Sequence, residues 1–107
     1  MRVKSFQLYN HEIEVLYLEE VWDDDGEKVF GTCDMQGLVI KVAIMSPNDG
    51  TPLKESVIFH NFFHEFGHAL MGFIDEKFNT NEVKIDRLGA LIAQAVSSAK
   101  LIESAPL

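Results

Sequence analysis

Residues 57–70 of the chain are V-I-F-H-N-F-F-H-E-F-G-H-A-L, and this stretch decides the fold. Apolar residues in it, and just beyond it, cover nearly every side of a helical wheel, which predicts a helix that the rest of the domain buries. They are Ile58, Phe59, Phe62, Phe63, Phe66, Ala69, Leu70 and Phe73. Two histidines and a glutamate in so apolar a helix need a compensating partner, because an unpaired buried charge costs several kcal/mol or shifts its pKa.

His64, Glu65 and His68 form the pattern H-E-x-x-H. Side chains four residues apart lie on the same face of a helix, so the two imidazoles can converge on one zinc ion. Glu65 lies beside them, where it can take a proton from water that zinc acidifies and later pass it to a leaving amine. The alternative is a core helix whose histidines are satisfied by other polar groups. Gly67 costs about 1 kcal/mol relative to Ala in mid-helix, which predicts a close neighbour there.

The whole chain, residues 1–107, is predicted to be a single domain of 47% hydrophobic residues. Nine basic and 17 acidic residues give a net charge of −8, which disfavours nucleic acid and anionic membranes as partners. The charge mainly indicates solubility, with a preference for basic polypeptides as the second interpretation. Cys33 is the single cysteine, so no internal disulfide is expected. Without an apolar signal core or a bilayer-length apolar run, the protein is expected to be soluble and cytoplasmic.

Residues 1–45 predict the sheet of an α+β fold, with three to four strands in an antiparallel or mixed arrangement. Alternating or β-branched segments predict the strands, which we place in antiparallel order. The segments are 2–9, 12–19, 28–34 and 38–45. The last of them is nearly continuous in apolar residues, which predicts a strand covered on both faces. The acidic stretch between the second and third strands is predicted to be an exposed hairpin connection.

Two helices are predicted after the sheet. Thr51 followed by Pro52 is typical of a helix N-cap and first turn, so the H-E-x-x-H helix is placed at 51–75. A C-terminal amphipathic helix is placed at 80–102, with one apolar face packing on the first helix, and 103–107 as a short tail. That face consists of Ile85, Leu88, Gly89, Ile92, Val96 and Ala99.

A catalytic zinc ion takes three protein ligands and leaves one position open, so a third ligand is needed beyond His68. The acidic candidates are Asp75, Glu76, Glu82 and Asp86. The first two follow too closely on the same helix, whereas Glu82 lies in the first turn of a returning helix. We therefore expect Glu82 to be the ligand, although residues 79–82 also fit a capping box. Asp86, on the same face as Glu82, can hold the second nitrogen of a ligand histidine or pair with a surface lysine.

The segment H-E-F-G-H-A-L at 64–70, followed by E-V-K-I-D-R-L-G at 82–89, resembles the zincin metallopeptidases of the ImmA/IrrE type. The spacing of Glu82 and Asp86 is also similar to that of gluzincins, and the small size resembles phage or mobile-element members. The resemblance implies a minimal zincin-like fold with one Zn²⁺ on His64, His68 and Glu82. It further implies Glu65 as the base and Asp86 beside a ligand histidine.

These observations predict a zinc metallopeptidase that hydrolyses peptide bonds of a polypeptide substrate. An edge strand from 28–45 is expected to hold the substrate by backbone pairing. An oxyanion donor is also needed, with Tyr9, Tyr17, His11 and His60 as open candidates, although His60 is better explained as a buried structural histidine. Two alternatives stay open: a non-catalytic interaction domain with a structural zinc site, and an acidic decoy or inhibitor module without metal.

Overall fold

The structure is a computed structural model that describes residues 2–100. Within these residues, the chain first forms six strands and then three helices. The strands are β1 (Ser5–Leu8), β2 (His11–Leu18), β3 (Val21–Trp22), β4 (Lys28–Val29), β5 (Gly31–Asp34) and β6 (Val39–Ala43). The helices are α1 (Glu55–Ile74), α2 (Glu76–Asn79) and α3 (Glu82–Ser98). The predicted α+β class, with an N-terminal sheet followed by helices, is confirmed.

The main sheet has the strand order β1-β2-β6-β5, and β3 and β4 form a separate two-stranded sheet. The pairs β1–β2 and β5–β6 are antiparallel, as predicted, but β2 and β6 run parallel. The prediction of a wholly antiparallel order was therefore wrong. The reason is the long connection between β2 and β6, which contains the β3–β4 hairpin and the edge strand β5. Strand β5 runs opposite to β2, and β6 pairs antiparallel with β5, so β6 runs in the same direction as β2.

The core lies between the main sheet and α1. Ile13, Ile40 and Val42 on the sheet are fully buried against Ile58 and Phe62 on the helix. Along β6, however, Val39 and Lys41 are only half-buried, alternating with buried Ile40 and Val42. The prediction that this strand is covered on both faces was wrong, because the apolar side chains of α1 pack on one face only.

Helix α1 begins later than predicted. Its N-cap is Lys54, which makes no side-chain capping hydrogen bond. The predicted cap at Thr51 is wrong because Pro52 instead forms an isolated bridge with Met45, which keeps the chain extended up to the helix. The helix ends at Ile74, and the Asp75 side chain then caps α2 by accepting from the backbone N–H groups of Lys77 and Phe78.

Helix α3 returns along α1, as the amphipathic pattern predicted, and buries Ile85, Gly89 and Ala93. Val96, predicted on the same face, is 45% exposed. The helix ends at Ser98 rather than at 102, and the predicted tail at 103–107 lies outside the described residues. Among residues 2–100, no helix is both long enough and apolar enough to cross a bilayer.

The closest approach of α3 to α1 is at Gly89. A Cβ atom there would lie 2.6 Å from the Phe63 carbonyl oxygen and 2.9 Å from the His64 Cα. At Gly67, by contrast, an added Cβ would lie 3.5 Å from Ile85, an ordinary contact. The sequence prediction of close packing at Gly67 thus found the right interface, but the position that requires glycine is Gly89.

We expect Gly89→Ala to destabilise the protein and Gly67→Ala to leave its stability unchanged or higher. The first substitution forces α3 away from α1, at a cost of about 1–3 kcal/mol for overpacking. The second meets no clash and gains up to about 1 kcal/mol of helix propensity. Urea unfolding of both variants beside the parent checks this, and equal effects of the two substitutions would contradict the close contact at Gly89.

Candidate metal centre and its cleft

His64, His68 and Glu82 lie together where α1 and α3 pack, with one donor atom from each within 4.8 Å of the others. Glu82 Oε2 is 3.1 Å from His64 Nε2, and Glu82 Oε1 is 3.1 Å from His68 Nε2. Nitrogen and oxygen atoms at this spacing can contact one cation together. The three predicted ligands, His64, His68 and Glu82, therefore form a group that can hold a metal ion, and we call them the metal group.

The other ring nitrogen of each histidine is held by a separate oxygen. His64 Nδ1 is 3.1 Å from Asp86 Oδ1, and His68 Nδ1 is 2.7 Å from Asn79 Oδ1. When each Nδ1–H donates to its oxygen, the lone pair of each Nε2 is left facing Glu82. Asp86 and Asn79, which are not members of the group, thus orient the two imidazoles for cation binding.

Asp86 thus contacts a ring nitrogen of His64, which is the first of the two contacts that the sequence left open for it. The hydrogen bond from His64, with a smaller one from His60, holds the pKa of the Asp86 carboxyl below its ordinary value. From the sequence, Asn79 was placed only in the capping box considered at 79–82, with no role at the metal group. The contact between Asn79 and His68 depends on α2, a single helical turn. The sequence signal available for this contact was the position of Asn79 three residues before Glu82.

His60 is not the buried structural histidine that the sequence predicted. Its side chain is 43% exposed, and its Nε2 lies 3.3 Å from the same Asp86 oxygen that His64 contacts. The error arises because His60 lies one turn before His64 on α1, on the side of the helix that α3 leaves partly open.

Glu82 does not cap its helix. The N-cap of α3 is Asn81, whose side chain accepts a hydrogen bond of 3.0 Å from the Lys84 backbone N–H. Glu82 is the first helical residue, not the third, so the capping-box alternative is wrong. Its side chain is 67% exposed and is directed to the two histidines.

Glu65 is buried beneath the edge strand β5, with 7% of its surface exposed. A Cβ atom on Gly31 would lie 2.9 Å from the Lys41 carbonyl oxygen and 3.0 Å from Glu65 Cγ, so a side chain there would crowd both the neighbouring strand and this carboxyl. Burial raises the pKa of Glu65 to about 7, while His68 lowers it in part and Glu82 raises it. Sequence offered no signal for Gly31, because the contact joins a strand and a helix far apart in the chain.

A cleft of about 950 Å³ opens beside this group, and its lining includes His64, Glu65, His68 and Glu82 together with all of β5. None of the four oxyanion candidates, all of which are described, lines it. Tyr17 donates to the Val3 carbonyl, and Tyr9 and His11 pack on Phe73. His60 contacts Asp86 from outside the cleft.

Asn61 is a further polar residue of the cleft to which the sequence assigned no role. Its Nδ2 is buried and has no hydrogen-bond partner within residues 2–100. Asn61 precedes His64 by three residues and Glu65 by four, so helical periodicity alone could have placed it on the same face. It supplies an amide group beside the metal group whose hydrogen-bonding capacity is unused.

Cys33 also lines the cleft and is half-buried. Burial, with the negative charges of Glu65 and Asp34, raises the pKa of its thiol to about 12. The thiol is therefore neutral near pH 7, and a nucleophilic role for it is disfavoured.

No protein-family model, no curated protein and no solved structure matches this chain. Its chemistry has therefore to be inferred from the site itself.

Proposed function

We propose that the chain is a zinc-dependent metallopeptidase of the zincin type. One observation carries the proposal: a buried carboxyl, Glu65, adjoins a three-ligand group that opens onto a large cleft. Structural zinc sites are closed by four protein ligands, whereas catalytic sites use three and keep one position open. The H-E-F-G-H segment at 64–68 and its resemblance to the ImmA/IrrE type support the same function.

His64, His68 and Glu82 would hold the ion, and two imidazoles with one carboxylate favour zinc. When bound, zinc supplies Lewis acidity, which polarises a peptide carbonyl and lowers the pKa of water. Glu65 accepts the proton of the attacking water and donates it to the departing amine, so the peptide bond is exchanged for a carboxylate and an amine. Its burial under β5 keeps competing solvent away from that carboxyl.

The edge strand β5 is suited to hold an extended substrate. The Ala43 N–H donates to the Phe30 carbonyl, and hydrogen-bonded pairs alternate along an antiparallel ladder. The backbone N–H and C=O groups of Gly31 and Cys33 therefore point away from β6, where a peptide can pair with them. Gly31 also contacts Glu65, so a paired peptide would pass beside the base.

The proposal is tested by incubating zinc-loaded protein with casein and with a mixed peptide library, followed by mass spectrometry. We expect one zinc per chain and cleavage that stops after treatment with 1,10-phenanthroline and returns when zinc is added back. A protein that binds one zinc and cleaves nothing would support the interaction domain with a structural zinc site. If the protein binds no zinc, the remaining hypothesis is the acidic decoy or inhibitor module without metal.

A further inference from the structure

The charge of the chain is concentrated in the cleft. Its lining includes six carboxyl groups and one basic residue, Lys41. The rest of the sequence carries eleven acidic and eight basic residues, so five of the eight excess negative charges lie in the cleft. A divalent cation on the metal group would still leave three negative charges unbalanced when all six are ionised. The six are Asp23, Asp24, Asp34, Glu65, Glu82 and Asp86.

Three of these carboxyl groups lie outside the metal group: Asp34 is the last residue of β5, and Asp23 and Asp24 directly follow β3. Asp23 Oδ1 accepts from the backbone N–H groups of Asp25 and Glu27, and Asp34 Oδ1 accepts in the same way from Gln36 and Gly37. These turns fix both carboxylates in place. Within residues 2–100, the second oxygen of each has no hydrogen-bond donor and neither carboxylate has an ion-pair partner.

Trp22 lies at the same end of the cleft as Asp23 and Asp24, and 52% of its surface is exposed. The ammonium group of Lys28 lies 5.4 Å from the centroid of its ring, in the arrangement of a cation–π contact. The environment of Trp22 thus already accommodates one cation, and half of the residue remains free to contact a ligand.

We propose that the cleft selects extended polypeptide segments rich in lysine and arginine. Basic side chains of such a segment would contact Trp22, Asp23 and Asp24 at the end of β3, and Asp34 at the end of β5. This inference rests on the proposed function, because it names the substrate class of the same site. The fixed, unpaired carboxylates attract cations along the cleft and repel acidic peptides.

Binding is measured on the zinc-loaded Glu65→Gln protein, which retains the cleft but lacks the base. Three peptides of equal length differ only in carrying Lys, Gln or Glu at the positions that flank a common apolar core. Trp22 is the single tryptophan, so its fluorescence reports directly on the cleft. We expect the Lys peptide to bind about tenfold more tightly than the Gln peptide, and the advantage to shrink as salt is raised.

The double variant Asp23→Asn, Asp24→Asn should bind the Lys peptide several-fold more weakly than the parent and bind the Gln peptide equally well. Asparagine keeps the side-chain oxygen that holds the turn at position 23. A matched control, Glu12→Gln with Glu14→Gln on β2, makes the same charge change outside the cleft and should have little effect. Equal binding of the Lys and Gln peptides, or an equal loss in the control, would overturn the inference.

The same peptides separate this inference from the proposed function. If the parent protein cleaves the Lys and Gln peptides at equal rates, the peptidase stands and the charge selection is wrong. If it cleaves neither but the Lys peptide still binds selectively, the charge selection stands and the peptidase is wrong.

Discussion

Replacing Glu65 with Gln should abolish peptide cleavage while leaving the bound zinc in place. Glutamine has the same shape, so it retains the packing beneath Gly31, but its amide cannot accept a proton from water. General acid–base catalysis contributes about 10²- to 10⁴-fold, so we expect kcat to fall at least about 100-fold. Steady-state cleavage, together with zinc content by elemental analysis, measures both parts of the prediction.

The matched control is Glu12→Gln on β2, which removes one carboxylate outside the cleft and should leave both cleavage and zinc content unchanged. Full activity in the Glu65→Gln protein would mean that the proton is taken by another group. Loss of zinc in the same protein would mean that Glu65 contributes to the metal group, which consists of His64, His68 and Glu82 without it.

The parts of the site that sequence predicted are those set by local geometry. His64 and His68 share a helical face whatever the rest of the chain does, and Glu82 follows from the length of a turn between two antiparallel helices. Asp75 was excluded as a ligand because it follows His68 too closely on the same helix. In the structure its side chain caps α2 instead. Glu82 and Asp86 lie one turn apart on α3, so predicting Glu82 at the metal group also predicted Asp86 near it.

The parts that sequence did not predict depend on contacts between distant segments. Gly31 admits Glu65 only because β5 is the edge strand that crosses α1, and β5 reached that edge through the parallel pairing of β2 and β6. Asn79 reaches His68 only because α2 interrupts the connection between the long helices. Hydrophobic periodicity describes one element at a time, so it carries no information on which elements meet.

The second large effect is expected at Glu82, because Asn81 and not Glu82 caps α3. We expect Glu82→Ala to weaken zinc binding more than about 100-fold, since residues that merely orient a ligand already contribute about 10- to 100-fold. Fold stability without metal should change little, because alanine favours helices and the Glu82 side chain does not cap α3. Competition with a zinc chelator measures the affinity, and urea unfolding of the metal-free protein measures the stability.

The neighbouring substitution, Asn81→Ala, should show the opposite pattern. It removes the side-chain oxygen that accepts from the Lys84 N–H, which costs about 1 kcal/mol of unfolding free energy for a lost N-cap. Zinc affinity should stay within a few-fold of the parent, because the three donor groups are intact. If Glu82→Ala instead destabilised the metal-free protein and retained zinc, Glu82 would be a structural residue of α3, and the metal group would have only two of its ligands.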